Sequence, residues 1–109
     1  MIHIVKSYFD FKKAYDKGKS FGNRNLILYK RKNDLDYTRI GITVSKKTGN
    51  AVVRNKIRRR IKEIYRELAP DIKPGYDLIF IARRNVPDIS FQELKSAFNH
   101  LIKISKMEK

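Results

Sequence analysis

The sequence predicts an α/β (α+β) sandwich in which helices pack on a small mixed, mostly antiparallel sheet, in the order α-β-β-α-β-α. Three observations lead there. Segments with the apolar spacing of helices interleave with segments of strand-like alternation. One of the latter, Leu78 to Ala82, is apolar on both faces, as a central strand is. The length of 109 residues allows one modest core and not two, so residues 1–109 are read as a single domain.

The first helix is signalled by Ser7 with Asp10 three residues on, a carboxylate form of the capping box, and it closes at Gly18. Tyr8, Phe11 and Tyr15 fall at i, i+3 and i+7 and share one face of it. The segment "RNLILYKRK" alternates like a strand, a polar turn "KNDLD" follows, and in "YTRIGITVS" Ile40, Ile42 and Val44 point one way while Arg39, Thr43 and Ser45 point the other. The turn predicts that these two strands pair as an antiparallel hairpin. Gly49 breaks the pattern, and Asn50 is placed to cap a second helix that runs to about Leu68 and is stopped by Pro70. After the strand "YDLIFIAR", Pro87 and the capping box of Ser90 and Glu93 open a last helix, with Phe91, Leu94, Phe98, Leu101 and Ile102 as its buried stripe. Gly41, inside a strand, marks a bulge or a close backbone approach.

Charge sets the class of partner. The chain carries 26 Lys and Arg against 11 Asp and Glu, a net +15, which is more than solubility requires and suits a polyanion. The charge concentrates in the second helix, where seven of the thirteen residues from Arg54 to Arg66 are Lys or Arg against the single acid Glu63. At 100° per residue Val53, Ile57, Ile61, Ile64 and Leu68 form one stripe, Asn55, Arg58, Arg59, Lys62 and Arg66 lie opposite, and Arg54, Lys56 and Arg60 flank them. Like charges four apart, such as Arg58 with Lys62, repel by a few tenths of a kcal/mol each. A helix that is merely soluble mixes signs, whereas phosphates would offset this repulsion and release counterions, so nucleic acid is the expected partner. Five of the seven cations are Arg, whose fork grips phosphate bidentately.

Other classes find little support. There is no cysteine, hence no thiolate metal site or thiol nucleophile. No apolar run approaches a membrane span, and the first residues lack the apolar centre of a signal peptide, so no membrane association is expected and the reading is cytoplasmic. His3 and His100 stand near opposite ends of the sequence without a motif, His100 reading as a surface residue. The nearest acids, Asp34 and Asp36, sit in a turn, so no protein-based catalytic residues and no small-molecule substrate are expected.

The run "SKKTGNAVVRNKIRRRIKEIYR", flanked by "FKKAYDKGKSFGNRNLILY" upstream and "YDLIFIAR" downstream, strongly resembles the signature of the bacterial ribonuclease P protein family. The resemblance covers nearly the whole chain. It implies the small basic subunit of a tRNA-processing ribonucleoprotein that removes the 5′ leader of precursor tRNA, with ribonuclease P RNA and precursor tRNA as partners. It further implies that the RNA subunit performs the hydrolysis with bound Mg²⁺, the protein alone binding no cofactor. For the fold it implies a left-handed βαβ crossover around the basic helix, against the general right-handed preference. Carried onto matching positions, the RNA-contacting residues are Arg54, Asn55, Lys56, Arg58, Arg59 and Lys62, with Lys46 and Lys47 in the preceding loop. Arg60 and Arg66 join them from the helix pattern.

The family also takes the single-stranded leader in an aromatic cleft between the first helix and the sheet. The matching positions are Phe11, Tyr15 and Tyr29, with Tyr15 where other members often carry Phe. Spacing alone reads Phe11 and Tyr15 as core residues joining helix to sheet, although aromatic faces beside Lys and Arg also suit unpaired bases. The basic helix by itself would equally serve a general RNA- or DNA-binding protein of ribosomal type, which has no use for such a cleft.

Overall fold

Eight regular elements follow one another in a computed structural model that describes residues 2–109: β1 (His3–Ile4), α1 (Tyr8–Lys17), β2 (Lys19–Gly22), β3 (Leu26–Lys32), β4 (Arg39–Thr43), α2 (Ala51–Leu68), β5 (Tyr76–Ala82) and α3 (Phe91–Ile104). Short 3₁₀ turns at Lys46–Thr48, Ala69–Asp71 and Val86–Asp88 join the later elements. The predicted helices and the three predicted strands are all present. The order gains two short strands, β1 and β2, that the sequence pattern did not announce.

The five strands form one mixed sheet in the order β1-β4-β5-β3-β2. β1 and β5 pair with β4 in parallel, while β2 and β5 pair with β3 antiparallel. The expected hairpin between β3 and β4 does not form, because β5 inserts between them. Leu78, Ile79 and Phe80 are fully buried, so β5 needs strands on both sides and layers on both faces, and it takes the middle of the sheet. The polar turn therefore arches over the start of β5. There Asn33 N–H donates to the Gly75 carbonyl, Thr38 Oγ1 donates to the Lys73 carbonyl at 2.7 Å, and Tyr76 N–H donates to Thr38 Oγ1. β4, α2 and β5 make a parallel βαβ unit around the basic helix.

Alternation along the strands divides the sheet into two faces. Leu26, Leu28, Ile40, Leu78, Phe80 and Ala82 pack with Ile57, Ile61, Ile64 and Tyr65 of α2 and with Leu94, Phe98, Leu101 and Ile102 of α3. The rings of Phe80 and Phe98 stack at 4.2 Å in the middle of this core. The opposite face carries a smaller cluster of Val5, Ala14 and Ile79, joined by Phe11 and Tyr29, and packs against α1.

Caps fix the helix starts. Asn50 Oδ1 accepts from Val53 N–H at 3.0 Å, and Ser90 Oγ accepts from Glu93 N–H at 3.1 Å. At α1 the expected box is not closed. Ser7 Oγ accepts from Phe9 N–H, and the Asp10 carboxylate turns instead to Arg39 on the sheet.

Candidate nucleic-acid interface

The buried stripe of α2 holds its cationic side outward. Asn55, Lys56, Arg59 and Arg66 are exposed, and Arg54, Arg58, Arg60 and Lys62 are half-buried. Among the described residues none of these cations is paired with an acid. The one local partner is Asn55, whose Oδ1 accepts from Arg58 Nη1 at 3.1 Å. The Nε of Arg54 is buried and makes no hydrogen bond. Lys46 and Lys47 lie exposed in the 3₁₀ turn three residues beyond the end of β4, directly before the Asn50 cap. All ten residues expected to contact nucleic acid thus form one stretch of surface from the end of β4 along α2. Such a ridge keeps its donors free for phosphate oxygens.

A groove on the other face of the sheet is lined by Tyr8, Phe11, Lys12, Tyr15 and Asp16 of α1 and by Thr43 of β4, and it encloses about 580 Å³. The helix starts above β4 and ends above β3, where a Cβ on Gly18 would stand 2.9 Å from the Lys30 carbonyl oxygen. Gly41 lets Phe11 come down onto the sheet. A Cβ at that position would lie 2.9 Å from Cε1 and Cζ of the Phe11 ring and 2.6 Å from Ile79 Cδ1. Gly41 is therefore a site of close approach. Tyr15 is 37% exposed, so it is not a closed core residue, and its hydroxyl bonds Thr43 Oγ1 at 3.0 Å across the groove. Tyr29 does not line the groove; it stands behind Tyr15, edge to face at 5.0 Å, and fixes that ring.

A buried ion pair sets the position of α1. Asp77 on β5 is fully buried and receives Arg39 Nε at 2.8 Å and Nη2 at 2.7 Å, with Asn33 Nδ2 at 3.0 Å and Arg31 Nη1 at 3.3 Å completing its shell. The remaining Arg39 nitrogen reaches Asp10 of α1 at 3.3 Å. Hydrogen bonding to Asp77 raises the Arg39 pKa above its ordinary value despite burial, so the guanidinium stays charged. Asp10 stands in the first turn of α1, between Tyr8 and Phe11 on the aromatic side of the groove.

Sequence reasoning placed Tyr8 on the aromatic face but did not assign it to the cleft, and it missed Lys12, Asp16 and Thr43. It also missed Asp77, although an acid inside an otherwise apolar strand is a readable sign of a buried pair. His100 is exposed, as expected, and its Nδ1 lies 3.1 Å from Asn23 Nδ2. Among the described residues no three His, Cys, Asp or Glu side chains come together to hold a metal, and no helix is long and apolar enough to cross a membrane.

The model of the family described as Ribonuclease P matches residues 3–106. The ribonuclease P protein component of Clostridioides difficile is 48% identical over 100 residues, covering 91% of this chain and 88% of that protein. That of Alkaliphilus metalliredigens is 46% identical, with 94% and 93% covered. Among solved structures, the RNase P protein of Staphylococcus aureus superposes with a TM-score of 0.92 at 37% identity over the whole of both chains. The RNase P protein of Thermotoga maritima gives 0.85 at 31% identity, covering 93% and 96%. The groove, the cationic helix and the mixed sheet between them are thus carried by a chain that belongs to the ribonuclease P protein family.

Proposed function

We propose that this chain is the protein subunit of a bacterial-type ribonuclease P, working in the cytoplasm on precursor tRNA. Its α2 ridge, from Lys46 and Lys47 through Arg54, Asn55, Lys56, Arg58, Arg59, Arg60 and Lys62 to Arg66, binds the RNA subunit. Its groove holds the single-stranded 5′ leader, with bases against Phe11 and Tyr15 while Tyr29 backs the second ring. Removal of the leader is carried out by the RNA subunit with its own Mg²⁺, and the protein contributes binding and placement of the substrate. The observation that carries this reading is the pairing of two unlike surfaces on opposite faces of one sheet, a cationic ridge with no acid partner among the described residues and a half-open aromatic groove. A protein that only coats phosphate backbone needs the first and not the second.

The test is cleavage of a precursor tRNA at low Mg²⁺ by a bacterial ribonuclease P RNA alone, by this protein alone and by the two together. Leader removal confined to, or strongly enhanced in, the mixture supports the proposal. Cleavage by rigorously RNA-free protein, or no change when protein joins the RNA, overturns it.

A further inference from the structure

Two aromatic side chains in the first turn of α1 are strongly exposed, Tyr8 at 74% and Phe9 at 71%. They are neighbours, with rings edge to face at 6.0 Å, yet the helix sends them to different places. Tyr8 lines the groove with Phe11 and Tyr15, whereas Phe9 lies off it. The Tyr8 hydroxyl has no hydrogen-bond partner among the described residues, and its ring contributes nothing to either hydrophobic cluster. A large ring left open to water and aimed into a groove makes sense when something flat covers it.

Resting on the reading of the groove as the leader site, we infer that Tyr8 is a further stacking position that extends the bound strand by one nucleotide beyond Phe11. The rise along α1 is about 4.5 Å from Tyr8 to Phe11 and about 6 Å from Phe11 to Tyr15. Each step exceeds the roughly 3.4 Å between stacked nucleotides, as suits a strand whose bases are drawn apart to lie on side chains. Lys12 lies on the same wall between Tyr8 and Tyr15, and its ammonium, 3.2 Å from Asp16, is exposed enough to exchange that carboxylate for a phosphate. The three rings with Lys12 form a track along the helix, with Tyr8 at the end where the chain arrives from β1.

The experiment uses holoenzyme reconstituted with a bacterial ribonuclease P RNA and measures affinity for precursor tRNAs whose leaders are shortened one nucleotide at a time. Tyr8→Ala is expected to remove the gain belonging to one leader nucleotide, next to the one governed by Phe11, a loss of roughly five- to hundredfold. It should leave mature tRNA and shorter leaders unchanged, and Tyr8→Phe should restore the gain. Phe9→Ala, equally exposed on the same helical turn but off the groove, is expected to behave as wild type at every leader length. An unchanged length profile in Tyr8→Ala, or the same loss in Phe9→Ala, overturns the inference. Phe11→Ala separates this from the broader reading. If it weakens leader binding while Tyr8→Ala does not, only the role of Tyr8 falls; if neither matters, the groove is not the leader site.

Discussion

Replacing Gly41 by alanine tests the link between sheet packing and the groove. The added methyl would stand 2.6 Å from Ile79 Cδ1 and 2.9 Å from two atoms of the Phe11 ring, both inside contact distance. Ile79 is fully buried in the central strand and has nowhere to go, while Phe11 is half-buried and borders open groove. The ring therefore gives way. Overpacking of this kind costs about 1–3 kcal/mol, which for a domain of this size lowers Tm by roughly 5–15 °C. The same displacement spoils a stacking surface worth about 1–3 kcal/mol per base. Thermal melts, together with affinities for leader-bearing and mature tRNA, check both halves. Tm and leader affinity should fall, while affinity for mature tRNA and assembly with the RNA subunit hold, since α2 lies on the other face. A melt that drops with leader affinity intact would refute the seating of Phe11 as the determinant of the groove. An unchanged melt would refute the close approach itself.

Three further outcomes follow from the same structure. Asp77→Asn leaves Arg39 and Arg31 without their buried counter-charge and should cost about 3 kcal/mol in denaturant unfolding; the loss stays at the low end because Arg39 keeps Asp10 and a fifth of its side chain reaches water. Arg58→Ala and Arg59→Ala should each weaken assembly with the RNA subunit and reduce the slope of log affinity against log salt by about one, whereas Phe11→Ala should leave that slope unchanged. Tyr65 supplies a pH signature, because burial in the core raises its phenol pKa. Above about pH 10 the unfolded chain loses this proton before the folded one does, so the unfolded state binds fewer protons and stability falls as pH rises. Tyr65→Phe should flatten that alkaline decline relative to wild type in parallel melts.

The helices were legible because each carries its own signals, an apolar stripe and a capping side chain, with a stop at Gly18 for the first and at Pro70 for the second. The cationic ridge was legible for the same reason, since its members sit within one helix and its preceding turn. The strand pairing was not. The local turn between β3 and β4 looks like a hairpin connection, and nothing within that stretch reports that a strand more than 30 residues later will enter between them. β1 has two residues and β2 has four, too few to show alternation, and β1 is held by parallel pairing to β4 together with the Val5 N–H to Ile40 carbonyl bond at 2.8 Å. The groove was half legible. Helical spacing gathered Tyr8, Phe11 and Tyr15, but Thr43 and the backing role of Tyr29 depend on which strands α1 crosses, and that is a property of the whole sheet.

β4 joins the two surfaces. Its alternation sends Ile40 and, beyond the strand end, Val44 into the core that seats α2, and sends Gly41 and Thr43 to the side where Phe11 and Tyr15 lie. Because the period is two, a slip of one residue in its pairing with β5 would place isoleucines under α1, where only glycine fits, and would expose glycine and threonine to the core. Neither the ridge nor the groove could then form. The parallel register of Gly41 with Ile79 and of Ile40 with Leu78 is fixed by the Arg39–Asp77 pair at the start of both strands, the most buried charge in the described chain. That pair also reaches Asp10 on α1. A single buried carboxylate thus holds the register that puts the cationic helix on one face of the sheet and the aromatic groove on the other, and weakening it should loosen both surfaces together.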